Sequence, residues 1–169
     1  MRISRTKIII GLGICLIAGS VIIIRSLLTP EEERIRWVIL GMADDFNGAR
    51  AGGCVAPLAD EFREERYDLG RDELRTILLR IFMGERDRKI GRFRWRVEVE
   101  PEEIAVEWPD DRDRERASIN VSARFFPVEG PSDGAPVWEI VATGRMRMRD
   151  GEWKLVTGTY QTITGRRPF

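Results

Sequence analysis

Histidine is missing from all 169 residues of the chain. Its absence removes the commonest general base at neutral pH, the usual zinc ligand and every serine–histidine catalytic pair. Cysteine is scarce, with only Cys15 and Cys54. Cys15 falls inside an apolar N-terminal run, so the remainder holds a single thiol and can form no internal disulfide. Its stability must come from core packing, and Cys54 reads as a small buried apolar residue. Lysine is scarce too, at 3 against 25 arginines, which we read as a compositional bias rather than a guanidinium-specific function. No glycine-rich phosphate loop, internal repeat or low-complexity tract occurs. Formal net charge is zero, and beyond residue 29 there are 24 basic against 28 acidic residues, a net of −4. Such a balance offers no electrostatic footprint for nucleic acid. The stretch "PDDRDRER", 109–116, is dense in carboxylates but lacks the central glycine of a calcium loop, and its arginines can satisfy its acids. No metal and no cofactor are expected.

What the chain does have begins with "IIIGLGICLIAGSVIII", Ile8 to Ile24, preceded by Arg2, Arg5 and Lys7. As a helix it would span roughly 25 Å, slightly less than a ~30 Å hydrocarbon core, and Leu27 and Leu28 extend it if Arg25 snorkels. Ala18-Gly19-Ser20 offers small residues of the kind a signal peptidase needs, yet the apolar run continues to Ile24. We therefore expect a retained signal-anchor over residues 1–28, with the bilayer contacted through Ile8 to Ile24. Only seven residues precede it, so the N-terminus is expected to be cytoplasmic and the globular part extracytoplasmic, as in a bacterial envelope.

Thr29-Pro30-Glu31-Glu32 carries a helix-start signal, and Ile35, Val38, Ile39, Met42 and Phe46 follow at helical spacing. "NGARAGG", 47–53, turns the chain. Pro57 is expected to open a short second helix through Leu58, Ala59 and Phe62. A third helix carries Leu74, Ile77, Leu78, Ile81 and Phe82 on one face, with Gly84 as its stop. From Arg92 the period changes to two: Phe93, Trp95, Val97 and Val99 alternate with charged residues. Ile104, Val106 and Trp108, then Ala117 to Phe125, then Trp138 to Met148, continue the alternation. Asp150-Gly151 marks a two-residue hairpin, and a last strand runs to about Ile163. The expected fold class is α+β: three helices packed on a curved antiparallel sheet of four to five strands, behind a transmembrane helix. One domain spans 29–163, and 164–169 form a C-terminal tail.

With that order of elements, "LADEFREERYDLGRDELRTILLRIF" and "GRMRMRDGEWKLVTGTY" give the chain its kinship. It resembles the nuclear transport factor 2-like superfamily, the cystatin-like α+β cone shared with ketosteroid isomerases and SnoaL-like polyketide cyclases. Gly70, Arg71 and Leu74 match a helix-start motif of that superfamily, and Asp150, Gly151, Trp153 and Leu155 match its final hairpin. Both motifs are structural. The resemblance implies a cone whose mouth, in the enzymes, holds an aspartate or tyrosine. Asp44, Asp45, Asp60 and Tyr67 are the candidates here, with Asp45, Asp60 and Tyr67 retained as catalytic candidates and none matching a known enzyme branch. Trp37, Trp95 and Tyr160 are the candidate pocket residues. The alternating charges of Asp60 to Arg75 read mainly as a solvated face.

Two functions stay open, and the first is the one expected. One is a membrane-tethered, non-catalytic module that binds a partner protein or a small apolar ligand. Its layout is similar to assembly factors of type IV secretion systems. The other is a SnoaL-like or isomerase-like enzyme using a buried carboxylate. The second sheet face, with Arg94, Arg96, Ser118, Asn120, Ser122, Arg124, Glu139 and Arg145, is the expected surface for a homodimer or an envelope protein partner. It is too polar for a core-like interface.

Overall fold

The structure, a computed structural model, describes residues 30–88, 91–110, 112–129 and 134–169. The expected anchor, Ile8 to Ile24, and the capping residue Thr29 lie outside them. Among the described residues no helix is long and apolar enough to cross a membrane. The chain divides into two compact units, Met1–Glu33 and Arg34–Phe169; the fold below is that of the second.

Helix α1, Glu31–Asn47, buries Ile35 and Ile39, one turn apart, and packs Val38 and Met42 beside them. Three glutamates in its first turn suit the positive end of the helix dipole. A five-residue helix, α2 (Ala51–Val55), follows; the sequence reading had placed its first residues in a turn. Next comes strand β1, Leu58–Glu64, and then helix α3, Arg71–Gly84. The remaining strands are β2 (Trp95–Glu98), β3 (Ile104–Glu107), β4 (Arg116–Pro127), β5 (Trp138–Arg149) and β6 (Glu152–Gly165). They form one curved sheet in the order β1-β6-β5-β4-β2, with β3 also paired to β4.

The α+β class and the switch from helical to alternating period match the sequence reading. Two features correct it. Leu58 to Phe62 is a strand rather than a second short helix, and the sheet therefore has six strands instead of four to five. The sheet is also mixed, because β1 runs parallel to β6 while all other pairs are antiparallel. The cause of the first misreading is local. Leu58, Ala59 and Phe62 fit a helical stripe, and the inward position after Phe62 is taken by a glutamate, which hides the alternation. The sheet is irregular there as well: six residues along β1, Leu58 to Arg63, answer to three along β6, Leu155 to Thr157.

Long alternating strands set the core. On β4, Ala117, Ile119, Val121, Ala123 and Phe125 all point inward and are buried. The β5–β6 hairpin closes at Asp150 and Gly151, whose φ values of 50° and 82° are both positive, as a type I′ turn requires. Phe46, at the end of α1, joins separate parts of the core. Its ring lies 5.4 Å from Phe82, 5.3 Å from Phe93 and 5.7 Å from Phe125.

Asn47 fixes the end of α1 to the sheet. Its Nδ2 donates to the Val97 carbonyl at 2.9 Å, and the Val97 N–H donates to its Oδ1 at 2.7 Å. The side chain thus pairs with β2 as a neighbouring strand would. Asn47→Ala leaves both backbone groups of Val97 without this partner and is expected to cost about 2 kcal/mol, read by urea denaturation. An unchanged midpoint would mean that water replaces the amide without loss.

Cys54 is buried on α2, with its thiol aimed at the Met42 carbonyl at 3.9 Å. Burial, reinforced by the negative charge of Asp45, pushes the thiol up to about 11 from 9.0. Folding therefore favours the protonated form. The linked stability is fully present below pH 9 and falls as pH rises from about 9 to about 11, because the unfolded chain ionises first. Subtracting the pH profile of Cys54→Ala from that of the native chain should isolate this loss. A flat difference above pH 9 would show that the thiol titrates normally.

Candidate functional site

Between α1 and the inner face of the sheet lies a pocket of about 320 Å³. Its wall on the helix side is Ile39, Met42, Ala43 and Phe46, and the sheet supplies an apolar floor. The space exists because several inward positions of the floor are small: Ala123, Ala142 and Gly158 line it. Gly144 sits beside Gly158 in the ladder, and a Cβ on it would approach the Thr157 carbonyl and a Leu155 methyl at 2.8 Å, so that position admits only glycine. Glu64, Thr143, Thr159 and Tyr160 are among the lining residues, but the surface that faces the pocket is almost wholly apolar. Glu64 is the one ionisable carboxylate, and no arginine or lysine lines the pocket.

Glu64 closes β1, pairing with Gly158 of β6. Its N–H donates to the Leu69 carbonyl at 2.9 Å, and the next N–H, of Glu65, donates to the Gly158 carbonyl at 2.9 Å. The strand thereby ends in a tight loop in which Asp68 adopts a positive φ of 53°. The Glu64 carboxylate turns back over that loop, and its Oε2 accepts the Tyr67 N–H at 2.7 Å. The side chain is buried, and Oε1 has no hydrogen-bond partner among the described residues. A buried acceptor left unmatched is costly, and functional sites are where such groups persist. Tyr160 lies two residues beyond Gly158 on the same sheet face. With strands ~4.8 Å apart and ~3.3 Å per residue, the Cα atoms of Glu64 and Tyr160 are about 8 Å apart. Both residues border the pocket, whose exposed surface is almost wholly apolar.

The sequence-derived candidates fall in different places. Tyr160 lines the pocket and packs edge-on to Trp138 at 5.7 Å. Trp37 is 60% exposed on α1. Trp95 packs with Phe93 and Phe82, and its indole donates to Glu85 at 3.0 Å. Asp45 pairs with Arg50 at 2.5 Å, and Asp44 is exposed. Asp60 is an exposed partner of Arg71 at 2.8 Å. The Tyr67 side chain is exposed, and only its backbone N–H serves the site, through Glu64. Sequence reasoning did not single out Glu64. The signal was present as Phe62 and Glu64 alternating with Arg63 and Glu65, but it becomes readable only once the segment is known to be a strand. Among the described residues, no group of three or more acidic or cysteine side chains is placed to hold a metal.

The opposite face of the sheet is polar and largely self-satisfied. Arg124 makes two bonds to Glu103, at 3.0 and 3.1 Å, and Arg145 donates to Thr157 at 3.1 Å and lies 3.7 Å from Glu65.

A helix layer over a curved mixed sheet, with an apolar pocket between them, defines the class. The chain has the fold of nuclear transport factor 2-like and cystatin-like proteins. It is similar to a ketosteroid isomerase-like protein from Erwinia carotovora atroseptica, at 15% identity and a TM-score of 0.55 over 81% of this chain and 99% of that one. It is also similar to a nuclear transport factor 2-like protein of unknown function from Pseudomonas putida, at 16% identity and a TM-score of 0.57, covering 82% and 96%. A third likeness is to a protein of unknown function with a cystatin-like fold from Nostoc punctiforme, at 12% identity and a TM-score of 0.58, covering 76% and 88%. At these identities the likeness is one of fold. No protein-family model and no curated protein matches the sequence.

Proposed function

We propose that the domain binds one small, largely apolar molecule in the pocket between α1 and the sheet, held at the outer side of a membrane by Ile8 to Ile24. The observation that carries the binding reading is the pocket itself: about 320 Å³, walled by aliphatic and aromatic side chains. The membrane reading rests on the uncharged N-terminal run. The polar sheet face remains the surface we assign to a second copy or an envelope partner.

Gly158→Leu tests the pocket directly. A Cβ at 158 meets only ordinary contacts, at 3.6 Å from Leu155 and Phe62, so the longer side chain has room to extend beside Glu64. Native mass spectrometry of the full chain ejected from detergent micelles, offered a set of medium-chain ketones and alcohols, should show a one-to-one adduct. The adduct should vanish in Gly158→Leu. Equal retention by the variant would place the ligand elsewhere.

A second reading, catalysis, is favoured by one observation: the buried, uncommitted Oε1 of Glu64 in an apolar wall. Turned toward the pocket, such an oxygen can take a proton from a bound carbon acid or hydroxyl. Lack of histidine does not bar this chemistry, since a carboxylate serves as the base. The kinship with a ketosteroid isomerase-like protein supports the same reading.

A further inference from the structure

Helix α3 is amphipathic in an unusual sense near its end. Phe82 is its one buried residue, while Leu79 and Met83, four apart and therefore on one face, are 43% and 66% exposed. Arg75 and Arg80, both exposed, flank that apolar pair on its two sides. Beyond the helix the chain doubles back: Arg86 bridges Phe93, Asp87 N–H donates to the Arg92 carbonyl at 2.8 Å, and Arg94 N–H donates to the Glu85 carbonyl at 3.0 Å. This excursion presents Arg88, Arg92 and Arg94 to solvent, next to the exposed Val128, whose N–H donates to the Arg94 carbonyl at 2.8 Å.

The charge is segregated. Over Arg80–Arg94 the described residues carry five arginines and two acids, in a domain whose residues 30–169 net −4. Glu85 is occupied by the Trp95 indole, Asp87 is partnered, and Glu129 stands at the rim. Elsewhere arginines are matched to carboxylates: Arg50 to Asp45, Arg71 to Asp60, Arg124 to Glu103, Arg149 to Glu61. Arg80, Arg88, Arg92 and Arg94 make no ion pair among the described residues. Unpaired arginines around exposed aliphatic side chains are the chemistry of an anionic lipid surface: the cations meet headgroup phosphates and the aliphatic groups enter the acyl boundary. Nucleic acid fits less well, since no aromatic ring in the patch is free to stack on a base.

We infer that the end of α3, with Arg88, Arg92 and Arg94 beyond it, forms a docking surface for the anionic headgroups of a lipid bilayer. The inference rests on the membrane reading for where the bilayer is, and on the patch alone for why it binds. Each arginine contributes about a five-fold gain in affinity for such a surface. The test uses the full chain, with Cys15 and Cys54 replaced by alanine and Met83→Cys carrying an environment-sensitive nitrobenzoxadiazole dye. It is reconstituted in vesicles of phosphatidylcholine alone or mixed with phosphatidylglycerol. A blue shift of the dye in the mixed vesicles only, reversed by high salt and by Arg88→Glu with Arg92→Glu, is expected. No shift in either vesicle, an equal shift in both, or a response to duplex DNA in place of vesicles would overturn it. Alkaline carbonate extraction of the same vesicles separates the two ideas. A chain that is extracted yet shifts loses the anchor and keeps the patch, whereas one that is retained but unshifted keeps the anchor and loses the patch.

Discussion

On the catalytic reading, glutamine in place of Glu64 should remove proton transfer in the pocket, a drop of about 10²–10⁴-fold, and leave the loop after β1 in place. The carboxylate is buried, one oxygen is matched by the Tyr67 N–H at 2.7 Å, and the other has no partner among the described residues. Glutamine keeps an oxygen for the Tyr67 amide, so the loop after β1 is retained. Glu64→Leu orphans that amide and should be less stable than Glu64→Gln. The activity arm is read by deuterium exchange at the carbon beside the carbonyl of a bound ketone, and the stability arm by urea unfolding. A variant that is less stable and exchanges as fast as the native chain would make Glu64 a plain loop cap.

The largest loss of stability is expected from Phe46→Ala, about 3–5 kcal/mol. Phe46 touches α3 through Phe82, the approach to β2 through Phe93, β4 through Phe125, and the chain's last residue through Phe169 at 6.0 Å. Edge-to-face ring pairs add to the loss beyond buried area. Deleting one ring therefore loosens several elements together, and the cavity it leaves opens onto a pocket that Phe46 already lines. Phe46→Leu should cost roughly 1–2 kcal/mol, since most of the volume survives. Equal losses in the two variants, measured by urea denaturation, would show that the ring geometry dominates over the filled space.

Much of this architecture is written in local periods. The inward residues of β4 and β5, the Asp150-Gly151 turn and the helical stripes of α1 and α3 each rest on neighbours in sequence, and the sequence reading located them. What escaped it depends on distant partners. Nothing near Leu58–Glu64 announces pairing with Leu155–Gly158, and the inward glutamate disguises the strand. The Asn47 clamp on Val97 joins a helix end to a strand 50 residues on. Tyr160 is out of phase with the inward series Trp153, Leu155 and Thr157, and reaches the pocket lining only because the β5–β6 ladder slips by one residue between Leu155 and Thr157. Trp37 and Trp95 follow the spacing rules, but one is turned to solvent and the other is packed against Phe93. The pocket comes from alanines and glycines on several strands at once, a sum that no single window of sequence displays.

The parallel β1–β6 pairing also dictates an order of events. Glu64 acquires its ladder neighbour only from Gly158, 94 residues later in the chain. During synthesis, the segment carrying the carboxylate must wait, its strand edge unpaired, until β6 has emerged. Contacts of such long reach slow the search for the native state. A nascent chain that lacks β6 therefore has no pocket under α1, and its waiting edge is the place where a chaperone or a stray strand would attach.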